Sequence, residues 1–274
     1  MQEFINAALA AAYKAGELLR ANWIRAKQIE TKSDLTDIVT NVDKEADAMI
    51  TNFLRSTFPD HGIVSEESPA TQGKGLYCWY IDPIDGTTNF AHTYPHFSVS
   101  IALARDASMV VGVVYDPLRD ETFCAQRGKG ATLNGKPIHV SSVPTLDRSL
   151  MLTGFPYDRR QRSEFYLRFY RAFMLRAQGV RRSGSASLDL CYVAAGRADA
   201  FWEWRLYPWD TAAGALMVEE AGGKMSDFSG GPFNLFGEQT LASNGLVHQE
   251  AIAVLQEVTA ATEQEGKLCC KPEM

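Results

Sequence analysis

Residues 79–89 read Trp-Tyr-Ile-Asp-Pro-Ile-Asp-Gly-Thr-Thr-Asn, and no other run constrains the fold of this chain as much. Its apolar start is the pattern of a buried strand. The strand runs directly into Asp82 and Asp85, three residues apart with Pro83 between them, and then into Gly86, Thr87 and Thr88. A fold that buries the strand must therefore accept two carboxylates and a small polar segment at its end. As local chemistry alone, Asp, Pro, Gly and Asn make a surface turn. As site chemistry, the same residues set carboxylate oxygens beside unpaired backbone amides, an arrangement suited to a metal ion and a phosphate.

Other acidic clusters end apolar segments in the same way. Ile63-Val64-Ser65 leads into Glu66-Glu67, Pro208-Trp209 leads into Asp210, and Asp37 and Asp43 flank residues 38–42. Taken singly, Asp43 and Asp210 are ordinary acids at helix N-termini, where the macrodipole favours them. Taken together, carboxylates converging from several strand ends repel one another unless a cation neutralises them. Hard divalent ions such as magnesium take such oxygen ligands. Pro83 restricts the backbone so that Asp82, the Ile84 carbonyl and Asp85 can face one side, with Asp82 able to bridge two ions. Gly86, Thr87 and Thr88 at an expected helix start offer amides that attract phosphate. Metals on one side of a phosphate and amides on the other make a phosphoryl-transfer site. The dinucleotide fingerprint, the Walker loop, HExxH and GxSxG are absent from the sequence.

The 274 residues suffice for a full core, and 46% hydrophobic with 22% charged residues is ordinary for a globular protein. A net charge of -6 argues against nucleic acid as the main partner. Residues 158–182 are nonetheless locally basic, with Arg159, Arg160, Arg162, Arg168, Arg171, Arg176, Arg181 and Arg182. That run reads as a solvated helix face, the alternative being a contact for an acidic partner or RNA. The sequence holds no apolar run near the roughly 18 residues of a membrane span. The early Glu3 and the lack of a basic leader argue against a signal peptide, so a cytoplasmic protein is expected. The five cysteines show no CxxC spacing, which indicates neither a zinc site nor a disulfide framework.

Apolar periodicity predicts helices over residues 4–23 and from Asp43 to near Pro59. Strands are expected over 61–66, 76–82, 97–104, 109–115 and 121–126, forming an antiparallel sheet with a hairpin at 106–108. The second half alternates. Strands are expected at 149–154, 198–204 and 241–243, and helices at 163–178, 185–195, 211–221 and 246–258, as in an α/β layer. These readings divide the chain into an α+β half over 1–142, an α/β half over 143–262 and a flexible tail over 263–274.

Two motifs carry a family resemblance: the stretch from Trp79 to Phe90, and Trp209-Asp210-Thr211-Ala212-Ala213-Gly214 followed by Glu220-Ala221-Gly222-Gly223. Residues 37–43 and Ser65-Glu66-Glu67-Ser68 support them. Over about residues 4–258 the chain resembles the inositol monophosphatases, and most of all their bacterial, extragenic-suppressor type. The resemblance implies a layered αβαβα sandwich of the sugar-phosphatase kind, shared with fructose-1,6-bisphosphatase. It implies two to three magnesium ions per site, held by Glu66, Asp82, the Ile84 carbonyl, Asp85 and Asp210. Asp43 and Thr87 match the pair that orients or activates the attacking water. The Gly86 and Thr87 amides match the phosphate cradle, and Gly184, Ser185, Ala186 and Glu203 match the residues that receive the substrate ring. Lys32 matches a basic residue near the third ion, and Glu67 is expected to support the ligands. The implied reaction is hydrolysis of myo-inositol 1-phosphate and related small phosphorylated polyols by metal-activated water. Alternatives are fructose-1,6-bisphosphatase, NADP phosphatase or 3′-phosphoadenosine phosphatase activity, or a binding role in transcription antitermination and ribosomal RNA processing, with transcription machinery or RNA as partner. A homodimer, lithium sensitivity and no membrane association complete what the resemblance implies. Trp202, Trp204 and Trp209 are expected to serve packing or a subunit contact.

Overall fold

The computed structural model describes residues 1–25, 27–32, 35 and 37–264. Two helices open the chain, α1 (Gln2–Asn22) and α2 (Asn41–Thr57), separated by the short antiparallel pair β1 (Ile29–Thr31) and β2 (Ile38–Thr40). A seven-stranded sheet follows: β3 (Gly62–Ser65), β4 (Tyr77–Asp85), β5 (Ser98–Arg105), β6 (Ser108–Asp116), β7 (Glu121–Gln126), β8 (Gly130–Leu133) and β9 (Lys136–Ile138), in that spatial order. One turn of helix, α3 (Thr87–Ala91), leaves the end of β4. The sheet is antiparallel except that β3 and β4 run parallel, which corrects the all-antiparallel expectation. The reason is the long excursion of residues 66–76, which returns the chain to the same edge in the same direction.

The second half builds β10 (Leu150–Thr153), α4 (Ser163–Met174), β11 (Gly179–Arg181), α5 (Ala186–Ala194), β12 (Ala200–Trp204), α6 (Pro208–Glu220), β13 (Lys224–Ser226), β14 (Gln239–Ser243) and α7 (His248–Gln264). Its five strands lie in the order β11-β10-β12-β14-β13. β10 is parallel to both neighbours, whereas β14 is antiparallel to β12 and to β13. Helix α7 reaches Gln264, so the expected tail starts inside it; the rest of that tail, with Cys269 and Cys270, lies outside the described residues.

Why five layers form is visible in the helices. In α6, Thr211 to Val218 are all buried, and in α5 nearly every residue is. A helix apolar on all sides must be covered on all sides. α5 and α6 lie between the two sheets, in a core that includes Tyr80, Phe123, Leu190, Phe201, Leu216 and Ala242. α1 and α2 have one apolar stripe each and cover the outer face of the large sheet with Ala8, Leu19, Ile50 and Leu54. α4 and α7 cover the outer face of the small sheet through Phe169, Phe173 and Leu255. The result is the αβαβα sandwich. Trp202 packs on Phe173 with ring centroids 4.0 Å apart, and Trp204 packs among Phe165, Phe169 and Phe228, as a packing role predicts. Among the described residues, no helix is long and apolar enough to cross a membrane.

The stretch at the end of β4 is not a surface turn. The strand continues through Pro83 to Asp85, and residues 79–85 are buried. Asp82 stands opposite Ser100 and Asp85 opposite Ser98, so three steps on β4 match two on β5. That is a one-residue bulge. In a regular strand, residues three apart face opposite sides. The extra residue restores Asp82 and Asp85 to one side, and Pro83, which has no N–H to give the ladder, sits where the ladder is interrupted.

Candidate active site

The end of β4, the start of α3, the turn after β10, the start of α5, the end of β12 and the start of α6 converge on one pocket. Glu66, Asp82, Ile84, Asp85, Gly86, Thr87, Gly184, Ser185, Ala186, Glu203 and Asp210 all line it. Of the residues that the sequence brings forward for a direct role, Asp43 alone lies behind the wall. It is fully buried and reaches the site through Thr87, whose hydroxyl donates to its Oδ1 at 2.8 Å.

Each acid is placed by local structure. Thr40 caps α2, and Asp43 closes the capping box from the third helical position, accepting from the Thr40 N–H at 2.9 Å and from the Thr40 hydroxyl. This leaves Oδ1 directed at Thr87. The Thr87 hydroxyl has a second acceptor in reach, the Ile84 carbonyl at 3.0 Å. It has one proton to give, so engagement of the Ile84 carbonyl by another group commits that proton to Asp43. Asp210 is held similarly, at the third position of α6, where it accepts from the Tyr207 N–H at 2.7 Å. Asp82 accepts from the Ile84 N–H at 3.0 Å.

Asp85 is bound to the other half of the chain. Its Oδ2 accepts from Ser185 Oγ at 2.7 Å, from the Ser187 N–H at 2.7 Å and from Ser187 Oγ at 2.5 Å. Its Oδ1 takes only the longer Ala186 N–H bond, at 3.2 Å, and keeps a lone pair for a cation. The carboxylate thus occupies the N-terminus of α5, where the helix dipole favours an anion. Ser187 was not legible as a partner from the sequence, because the contact spans a hundred residues.

The oxygens of Asp82, Asp85 and Asp210 lie within 4.8 Å of one another. Burial, and then repulsion from Glu66, Asp85 and Asp210, pushes the Asp82 carboxyl well above its ordinary range. Asp210 is raised by burial, then by Asp85 and Glu66. Asp85 is raised by burial despite its hydrogen bonds. The buried carboxylates of Asp82 and Asp85 and the half-buried one of Asp210 form a hard, oxygen-only set, which fits a divalent cation of the magnesium type. Lys32 Nζ adds a positive charge at the edge, 2.9 Å from Glu66 Oε1 and 2.5 Å from Glu67 Oε1. Burial raises Asp43 to about 6.

At the start of α3, Gly86 has φ +100, and a Cβ there would meet the carbonyls of Gly184 and His96 at 3.1 Å each. Only glycine lets the two segments approach so closely. Asn89 ties them, donating to the His96 carbonyl at 2.7 Å and the Ser183 carbonyl at 2.9 Å. The first amides of α3, as in any helix, lack intrahelical acceptors.

Glu203 is on β12, with its carboxyl against the backbone of Gly154, where a Cβ would lie 2.1 Å from Glu203 Oε2. Burial raises its pKa to about 8, and Arg182 and Arg159 oppose the rise. In the unfolded chain the ordinary value is 4.5. The neutral buried form therefore contributes its stability below about pH 4.5, and that contribution is lost as pH climbs through about 8, at about 1.4 kcal/mol per unit of difference. Glu203→Gln is expected to raise the thermal midpoint in chelator progressively between about pH 5 and pH 8.5, relative to the parent protein. A midpoint difference that stays flat across that range contradicts this placement of Glu203.

One wall of the pocket is built from residues outside both family motifs. Phe155, Tyr157 and Arg159 line it from the turn after β10, and Arg182 lines it from the segment before α5. Arg159 and Arg182 are therefore not part of a solvated helix face, which corrects that reading for these two. Arg176 does pair at the surface, with Glu257 at 2.8 Å, and Arg162 pairs with Asp158 at 3.6 Å. The signal available was Gly154-Phe155-Pro156 at the end of an expected strand, a break placed to turn the chain across a strand end.

The profile of the inositol monophosphatase family matches residues 1–260. An inositol-1-monophosphatase of Synechocystis is 45% identical over 266 residues, covering 96% of this chain and 91% of the relative. A Nus factor SuhB of Pseudomonas aeruginosa is 48% identical over 236 residues, covering 84% of this chain and 87% of the relative. The solved inositol monophosphatase from Anabaena (Nostoc) superposes with a TM-score of 0.85 at 40% identity, covering 93% of this chain and 96% of that one. With both motifs in place at the ends of β4 and at α6, and with matches of this extent, the chain belongs to the inositol monophosphatase family.

Proposed function

We propose that the protein hydrolyses myo-inositol 1-phosphate and related small phosphate monoesters with the help of two to three magnesium ions. The observation that carries this is the convergence of Asp82, Asp85 and Asp210 within 4.8 Å in the wall of a pocket that Glu203 also lines. Glu66, Asp82, the Ile84 carbonyl, Asp85 and Asp210 are the groups to hold the ions, with Asp82 central. When bound, such ions polarise the phosphate, lower the pKa of water and stabilise the leaving oxygen. The chain's own residues do the rest. Thr87 and Asp43 take up a proton or hydrogen bond from the attacking water, the Gly86 and Thr87 amides seat the phosphate, and Gly184, Ala186 and Glu203 receive the polyol. Ser185 acts mainly by fixing Asp85. The two halves 1–142 and 143–262 meet at this site. A homodimer in the cytoplasm, inhibited by lithium, is part of the same reading.

A panel of esters tests it. Phosphate release by the purified protein with magnesium is measured on myo-inositol 1-phosphate, glycerol 2-phosphate, fructose 1,6-bisphosphate, NADP and 3′-phosphoadenosine 5′-phosphate. The expected result is the highest kcat/KM on inositol 1-phosphate; a clear preference for a bisphosphate or nucleotide replaces this reading with that one. A second role stands beside it because relatives carry the name Nus factor SuhB. Exposed Arg160 and Arg171 are the basic surface such a role would use. Co-purification of a catalytically silent variant with transcription complexes supports that role, and persistent absence from them opposes it.

A further inference from the structure

The one-turn 3-10 helix Tyr157–Arg160 follows Gly154-Phe155-Pro156 and lines the pocket that Glu203 also lines. Its central acid is clamped. Asp158 accepts from Arg205 Nη1 at 2.6 Å and from the Tyr166 hydroxyl at 2.7 Å, with Arg162 at 3.6 Å. Three partners, from the residue after β12, from α4 and from the residue before α4, hold one aspartate, so the residues on either side of it are presented in fixed positions. Tyr157 and Arg159 both line the pocket. Arg159 Nη1 also donates to the Pro156 carbonyl at 3.4 Å, which keeps the guanidinium folded over its own turn.

Arg159 meets a second guanidinium across the pocket. Arg182 packs on Gly184, where a Cβ would come within 2.7 Å of Arg182 Nη1. Both arginines act electrostatically on Glu203, and Arg182 acts also on Asp189, another carboxyl of the pocket wall. Two guanidiniums and two carboxyls thus share the pocket lining.

Resting on the phosphatase reading above, we propose that Arg159, with Arg182, is a specificity-determining residue that reads the hydroxyl groups of a neutral polyol. The chemistry favours hydroxyls over a second phosphate. A hydroxyl both donates and accepts, so it can bridge a guanidinium and a neighbouring carboxyl. A second phosphate accepts only, and it would have to displace the carboxyls that the guanidiniums already face. The rigid fork of arginine suits adjacent oxygens on a ring.

The experiment uses the full chain with magnesium and compares Arg159→Ala and Arg159→Lys with the parent protein. The esters are myo-inositol 1-phosphate, fructose 1,6-bisphosphate and 4-nitrophenyl phosphate, whose leaving group has no hydroxyls. Loss of a hydrogen bond to a charged group is expected to lower kcat/KM of Arg159→Ala on inositol 1-phosphate about 10- to 100-fold, mainly through KM. The value on 4-nitrophenyl phosphate should stay within about threefold, and Arg159→Lys should recover part of the loss. Equal losses on all three esters, no loss on any, or a loss confined to fructose 1,6-bisphosphate each overturn the inference. The phosphatase reading survives all three outcomes; it falls if the parent protein prefers a bisphosphate or nucleotide, or releases no phosphate from any ester.

Discussion

Asp82→Asn is expected to lower magnesium-dependent phosphate release by on the order of 1,000-fold or more, while leaving the fold at least as stable in chelator. The two halves of that expectation have one cause. Asp82 is buried and repelled by Glu66, Asp85 and Asp210, and its one backbone bond is to the Ile84 N–H. Asn keeps an oxygen for that bond and removes a charge from a crowded cluster, so nothing structural is lost. What is lost is the ligand proposed to serve two ions. Thermal midpoints with chelator and rates with magnesium separate the two effects. Asp85 would be a poorer choice for this test. Asn at position 85 sets an amide against the donors of Ser185 and Ser187, and so weakens the junction between β4 and α5.

Asp43→Asn is expected to lower kcat by about 100- to 10,000-fold with KM little changed, the range associated with a lost acid–base or water-positioning group. Asp43 is behind the pocket wall, so it contributes nothing to seating a substrate. Its contribution is to hold the Thr87 proton at 2.8 Å, leaving the hydroxyl oxygen free to accept from water. Asn holds that proton less well and lets it fall to the Ile84 carbonyl at 3.0 Å. Thr87→Ala should cost a similar factor, and the double variant little more than either, because the two act as one unit. Independent, multiplying losses would show that they do not. Some stability should be lost as well, about 1 kcal/mol, through the weakened capping box.

Much of this site was legible in the sequence because its chemistry is local there. Asp82, Ile84, Asp85, Gly86 and Thr87 are one hexapeptide's worth of chain, and acids at strand ends mark Glu66 and Asp210 without any knowledge of the fold. The layered architecture followed from the family motifs more than from periodicity. α5 and α6 are apolar on every side, and that pattern says buried without saying against what. The short strands β8, β9, β11 and β13 have three or four residues each, too few for alternation to register. The bulge was hidden for another reason. Asp-Pro and Asp-Gly spell a turn locally, and only pairing with Ser98 and Ser100 keeps the segment in the sheet. Arg159 and Ser187 depend on contacts across the chain, which no local pattern encodes.

On the proposed function, the carboxylates around Asp82 hold the ions that drive hydrolysis. Calorimetric titration of magnesium into the parent protein and into Asp82→Asn tests it without reference to any substrate. The predicted result is two to three ions per chain for the parent, with loss of at least the tighter binding in the variant. The same stoichiometry and affinity in both proteins would contradict it.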